Sequence, residues 1–280
     1  MISQWIIFAT LGGLSSNLFN FLSRYVLKDE GDSSSWAWLY ETLRTPLFLL
    51  LAFFDFRLEV SLYSFTLLLA LGITEFISVY LYMKMHSYSH LSISTILSRT
   101  RLIWIPLLGF FFLSENLRFL DYLGILLLFL GVSATVAPHK LLIDKGAIYA
   151  QLAAFVIAIN VILLKISANI ASPFVLLFFY SLPSVILFPI LMKDYKKRLI
   201  RESKKNFLPK LVGAIASMGA GYFLVLALKN GDVSKVNAIY QGMMITGVIA
   251  GIIFLKERED IFKKLIGTTL ALVGVLLLTS

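Results

Sequence analysis

The sequence predicts an all-α polytopic membrane protein: ten transmembrane helices arranged as two inverted five-helix repeats. Three observations carry the prediction. Of 280 residues, 59% are hydrophobic and 15% charged, with a mean hydropathy of +0.86, whereas soluble domains are roughly 25% charged. Apolar runs of ~20 residues recur from end to end, each long enough at ~1.5 Å per residue to cross a ~30 Å hydrocarbon core. The third observation is internal repetition, set out below.

Polar breaks divide the chain into spans near 4–26, 35–54, 61–83, 92–114, 119–137, 146–168, 172–192, 207–228, 233–255 and 262–279. The first begins at Trp5 with no basic residue before it and no small-residue cleavage site after it, so it is expected to be a retained span and not a secretory signal. Connections are short except for the basic segment at 193–210, and no linker separates soluble domains. There is no cysteine, which excludes disulfides, thiolate nucleophiles and cysteine metal sites. The net charge of +9 lies mostly in loops. Bilayer orientation and anionic headgroups account for it better than nucleic acid does.

The repeat is read from matched positions. At an offset of 142, Tyr80 matches Tyr222, Ser92 matches Ser234 and Glu115 matches Glu257. Gly124 and Gly131 match Gly267 and Gly274 at an offset of 143, and Pro46 matches Pro183 at 137. The units are therefore 1–140 and 141–280, five spans each. An odd number of spans turns the second copy upside down relative to the first, an arrangement that puts a binding site between the halves.

A glutamate ends the fourth span of each unit, followed by a fifth span reading "DYLGILLLFLGV" or "KLIGTTLALVGV", and Arg44 lies in the second span. In these features the chain resembles the EamA-type members of the drug/metabolite transporter superfamily, over essentially its whole length. Ser181 stands where a second copy of Arg44 would fall, a departure from strict duplication. The resemblance implies a ten-helix carrier with a central cavity lined by spans 1–4 and 6–9, and with spans 5 and 10 at the periphery.

Glu41, Arg44, Glu75, Arg99 and Arg101 fall inside spans. Each charge at a bilayer centre costs roughly 2.5–3.5 kcal/mol on insertion scales. Five unpaired charges would exceed ~10 kcal/mol, comparable with a whole fold's stability, so they must be paired or hydrated. Glu41 and Arg44, at i, i+3, can pair directly or contact substrate. On an ideal helix Ser92, Ser94, Thr95, Ser98, Arg99 and Arg101 share one half of span 4, opposite Ile93, Ile96, Leu97, Ile103 and Trp104. That pattern predicts a water-filled vestibule. The alternative is that the arginines snorkel from a helix starting nearer residue 100.

Glu75 shares a face with Ser78 and Tyr82, and its expected partner is an arginine of span 4, the next span in sequence. Side chains at 99 and 101 leave an ideal helix about 200° apart. One is expected to neutralise Glu75 and the other to face a solute, since two carboxylates against three arginines leave a positive charge over. In the second copy these five positions become Phe178, Ser181, Ser217, Gln241 and Met243. The site should therefore be lopsided, with hydrogen bonding from Asn237, Tyr240 and Gln241. Asn17, Asn20 and Asn160 are further polar candidates, although buried asparagines also tie helices together.

Other motifs carry less. His86 and His90 could form a metal pair but have no third ligand nearby, and a plain loop pair is preferred. "GVIAG" at 247–251 is a helix-contact motif. Glu115 and Glu257 read as capping or loop structure. Walker loop, zincin and nucleophile-elbow patterns are absent.

With alternating spans, 17 of the 25 Lys and Arg lie in odd connections and 5 in even ones, leaving the three intramembrane arginines. The positive-inside rule then puts the odd loops in the cytoplasm and both termini outside. Many relatives are described with both termini inside; the charges are followed here. The expectation is a plasma-membrane secondary carrier, monomer or homodimer, moving a small anionic or zwitterionic metabolite such as an amino acid or organic acid. No cofactor is expected, and protons could couple through Glu75 or Glu41, since a buried carboxylate can be tuned towards neutral pH. The rival classes are a membrane enzyme acting on a lipid-linked substrate, which would need a convergent acid/base or metal cluster, and a non-transporting subunit, which would not need inverted halves.

Overall fold

The computed structural model describes residues 3–27, 32–88, 99–134, 145–204, 206–246 and 261–279, and the apolar runs within these residues form helices. The first copy supplies α1 (Gln4–Leu27), α2 (Ser33–Ala52), α3 (Leu62–Tyr88), α4 (Arg101–Leu113) and α5 (Phe119–Ala134). The second supplies α6 (Lys145–Ser167), α7 (Pro173–Leu191), α8 (Tyr195–Lys204), α9 (Phe207–Asn230), α10 (Val233–Gly242) and α11 (Ile261–Thr279). Among the described residues α1, α6, α7, α9 and the stretch Leu62–Tyr82 of α3 have the length and hydropathy to cross a membrane. Arg101–Leu113, Phe119–Ala134 and Leu265–Thr279 are shorter apolar helices, and α2 carries Glu41 and Arg44 within its 20 residues. Span 9 is described only as far as Thr246. Within the segment read as a connection, 193–210, the chain forms the helix α8.

Local chemistry sets the ends. Asp32 caps α2, its carboxylate accepting from Ser35 N–H at 3.2 Å and Ser35 Oγ at 2.7 Å. Pro173 opens α7 at a position where a missing N–H costs nothing. Ser114, left-handed at φ 55°, ends α4. Glu115 then crosses to the other copy and accepts from Val233 N–H, Ser234 N–H (3.2 Å) and Ser234 Oγ (2.6 Å) at the start of α10. Lys165 meets the opposite pole, donating to the Leu228 and Gly231 carbonyls at the end of α9. Each charge suits the helix dipole it faces.

The helices pack between copies more than within them. α1 lies on α9 as α3 lies on α6; α1 touches α10 as α6 touches α4; α2 meets α7, α4 meets α10 and α5 meets α11. Exchanging the two copies maps this contact set onto itself, the signature of a two-fold relation. At one pair the direction is explicit: Gly124 abuts Gly274 while Gly131 abuts Gly267 and Ala271, so α5 and α11 run antiparallel. A Cβ on Gly131 would come within 2.5 Å of the Gly267 carbonyl and the Ala271 amide. Buried alanines at 147, 150, 154 and 158 give α6 a comparably smooth face. Small residues matter here because lipid offers no hydrophobic drive for helix association, and close backbone approach must supply it.

Candidate functional site

Between the copies lies a cavity of about 200 Å³. α3 brings Glu75, Ser78, Val79 and Tyr82 to it, α2 brings Tyr40, and α4 brings Arg101. The second copy contributes Ile157, Asn160, Val161 and Leu164 from α6, Tyr180 from α7, Leu224 from α9, and Asn237, Tyr240 and Gln241 from α10. One wall is therefore acidic and another basic, with amides and phenols between them.

The acidic wall is built on α2. Arg44 grips Glu41 through two bonds, Nε to Oε2 at 2.8 Å and Nη2 to Oε1 at 2.7 Å, and Glu41 is fully buried. Glu75 stands farther off, 3.6 Å from the same Nη2. The expected partner in span 4 is corrected: among the described residues the ion-pair partner of Glu75 is Arg44 of α2, and α3 packs chiefly on α6 and α7. Two carboxylates thus share one guanidinium. Tyr180 lines the cavity with Glu75, and the Arg44 guanidinium sits over the rings of Tyr40 at 5.2 Å and Tyr180 at 5.7 Å. Glu41 and Arg44 stand behind the cavity lining; Glu75 reaches it.

The basic wall overturns a second expectation. Arg99 Nη1 and Arg101 Nη2 both donate to Gln241 Oε1, at 2.9 and 2.6 Å. Extrapolating an ideal helix separated the two side chains. In the structure α4 begins at Arg101 and Arg99 lies in the preceding turn, so both reach one acceptor. Arg101 lines the cavity, whereas Arg99 does not and is 5% exposed. Among the described residues Arg101 has no carboxylate partner.

The remaining candidates divide. Tyr82, Asn237 and Tyr240 line the cavity, and Tyr240 packs against Gly12 and Gly13 of α1. Asn17 instead ties α1 to span 9, donating to the Met243 carbonyl and to Thr246 Oγ1 at 3.0 Å. Asn20 is half-buried on α1 and does not line the cavity. Asn160 both lines the cavity and ties α6 to α3, through the Leu71 carbonyl (3.1 Å) and Thr74 Oγ1 (3.0 Å). Thr95 and Ser98, with Ser92, Ser94, His90, Glu257 and the GVIAG motif, lie outside the described residues, as does the side chain of His86. Sequence reasoning missed Tyr40 and Tyr180. Their signal was position: Tyr40 adjoins Glu41, and Tyr180 adjoins Ser181, the counterpart of Arg44.

The sequence model of the EamA-like transporter family matches residues 3–137 and again 144–280. A crystal structure described only as that of a protein superposes with a TM-score of 0.74, covering 96% of this chain and 95% of that one at 14% identity, a likeness of fold alone. No curated protein matches the sequence.

Proposed function

The chain belongs to the EamA-like transporter family, and on that premise we propose that it is a secondary-active carrier of a small anionic or zwitterionic metabolite. The observation that carries the substrate class is the cavity between the copies, where Arg101 offers a guanidinium without a carboxylate partner among the described residues. A carboxylate or phosphate on the solute would complete that pair by charge-assisted hydrogen bonding. Glu75, on the wall formed with Arg44, would receive a cationic group of a zwitterion or a coupled proton.

Alternating access fits the contact pattern. Because exchange of the copies maps the principal pairings between them (α1 on α9 and α3 on α6, α1 with α10 and α6 with α4, α2 with α7, α4 with α10, α5 with α11) onto one another, the state with the copies' conformations swapped would reuse those pairings. Such a state lies close in energy and opens to the other side. The plasma membrane is the proposed location, with odd loops cytoplasmic as the charge distribution directs.

The test is uptake into proteoliposomes after a thermal-shift screen of the purified protein against amino acids, organic acids, organic cations and neutral sugars. The expected outcome is a stabilising solute that is also accumulated, with uptake at low solute concentration sharply reduced by Arg101→Ala. Stabilisation only by cations or neutral sugars would overturn the substrate class.

A further inference from the structure

We propose that the outward face of α8 is a binding surface for anionic lipid headgroups, poised to steady the start of α2. α8 has two unlike faces. Tyr195, Arg198, Leu199 and Glu202, at i, i+3, i+4 and i+7, face the protein: Tyr195 and Leu199 pack on the cluster of Trp36, Tyr40 and Phe188, and Glu202 is buried. Lys196, Lys197, Ile200, Arg201 and Lys204 are all exposed. On a helix they fall within about 140° of one another. That face carries four cations and no acid, and among the described residues none of the four has an ion-pair partner. Lys193 and Asp194, before the helix, offset each other.

Placement identifies the occupant. α8 joins the end of α7, where Ile190 and Leu191 are exposed, to the start of α9, where Phe207 and Leu208 are exposed. Apolar side chains open to lipid therefore flank the basic face on both sides, at the boundary between acyl chains and headgroups. Ile200, 56% exposed among the four cations, suits partial insertion at that boundary. A free phosphate would account for the cations but not for Ile200 or its apolar flanks. With odd loops cytoplasmic, the face meets the leaflet whose anionic lipids attract basic segments.

The inward face connects this surface to α2. Arg198 donates to both carboxylate oxygens of Asp32, at 2.6 and 2.7 Å. Glu202 takes an ion pair from Lys210 at 2.9 Å and the Asp32 N–H at 3.5 Å. Asp32 caps the helix that carries Glu41 and Arg44. Headgroups that hold α8 would hold that cap. Any consequence for transport rests on the carrier reading above; the binding does not.

The experiment reads unfolding by tryptophan fluorescence, with the full chain in vesicles of phosphatidylcholine alone or of phosphatidylcholine with phosphatidylglycerol. The wild type should melt several degrees higher with phosphatidylglycerol. The rise should collapse in molar salt, which screens such contacts, and in the variant Lys196→Gln, Lys197→Gln, Arg201→Gln, Lys204→Gln. Soluble glycerol phosphate added to phosphatidylcholine vesicles should produce no rise. An equal rise with glycerol phosphate, or none with phosphatidylglycerol, would overturn the proposal. So would a rise that survives salt in the wild type, an arm that stands even if the variant fails to insert.

Discussion

Arg99 donates to Gln241, the residue that holds its own place in the second copy, 142 positions along. A residue can touch its repeat counterpart only near the axis relating the copies, so the pseudo-two-fold passes between α4 and α10 at the cavity. The asymmetry of the site begins there, because one copy presents guanidinium where the other presents amide.

Arg101 should carry solute recognition. Arg101→Ala is expected to leave the melting temperature near wild type and weaken solute binding by about 1.5–3 kcal/mol, roughly 10- to 150-fold. Gln241→Leu removes the acceptor shared by the buried Arg99 and the half-buried Arg101 and should lower stability as well. Titration of the screened solute and a melting curve measure both. Neutral behaviour of Arg99→Ala and Arg101→Ala in both assays would sink the cavity reading.

Glu75 and Glu41 should separate on mutation. Glu41→Ala leaves buried Arg44 with Glu75, at 3.6 Å, as its one carboxylate among the described residues, and loss of one partner of a buried pair costs about 3–5 kcal/mol. Glu75→Gln keeps the Glu41–Arg44 pair and the shape of the wall. It should insert normally and lose transport, or lose its pH dependence. Wild-type uptake with an unchanged pH profile in Glu75→Gln would count against a functional role.

Asp32 supplies a pH signature outside the membrane. Partial burial pushes its carboxyl up, but hydrogen bonds from Arg198 and Ser35 outweigh this and bring its pKa from 3.8 down to about 2. A lowered folded-state pKa means the stabilisation is fully present above pH 3.8 and is lost as pH falls towards 2. Asp32→Asn retains a capping oxygen but not the charge. The stability gap between wild type and Asp32→Asn should be constant above about pH 4 and close by about pH 2; a gap unchanged across that range would show that the Arg198 pair contributes nothing.

Gly131→Val tests the α5–α11 contact. Backbone atoms of Gly267 and Ala271 lie 2.5 Å from the new Cβ, so the helices must part. A loss of roughly 1–3 kcal/mol is expected from such overpacking, seen as a lower melting temperature with solute affinity unchanged. An unaltered melting temperature would mean that the pair is not held by close approach.

The sequence by itself determined the helical class, the family, the two copies, and the charged residues that needed partners, because hydropathy, repeat offsets and the price of a membrane charge are properties of local composition. The Glu41–Arg44 pair was legible too, being three residues apart on one helix. Tertiary structure alone decided who partners whom across helices. Glu75 found Arg44 because the copies interleave, placing α3 on α6 and α7, an order that sequence adjacency misstates. Arg99 and Arg101 converged on Gln241 because α4 starts at Arg101, and a long side chain leaving a turn escapes the angular spacing of a helix. Tyr180, unremarkable in an apolar run, joined the site only when α7 carried it to Glu75.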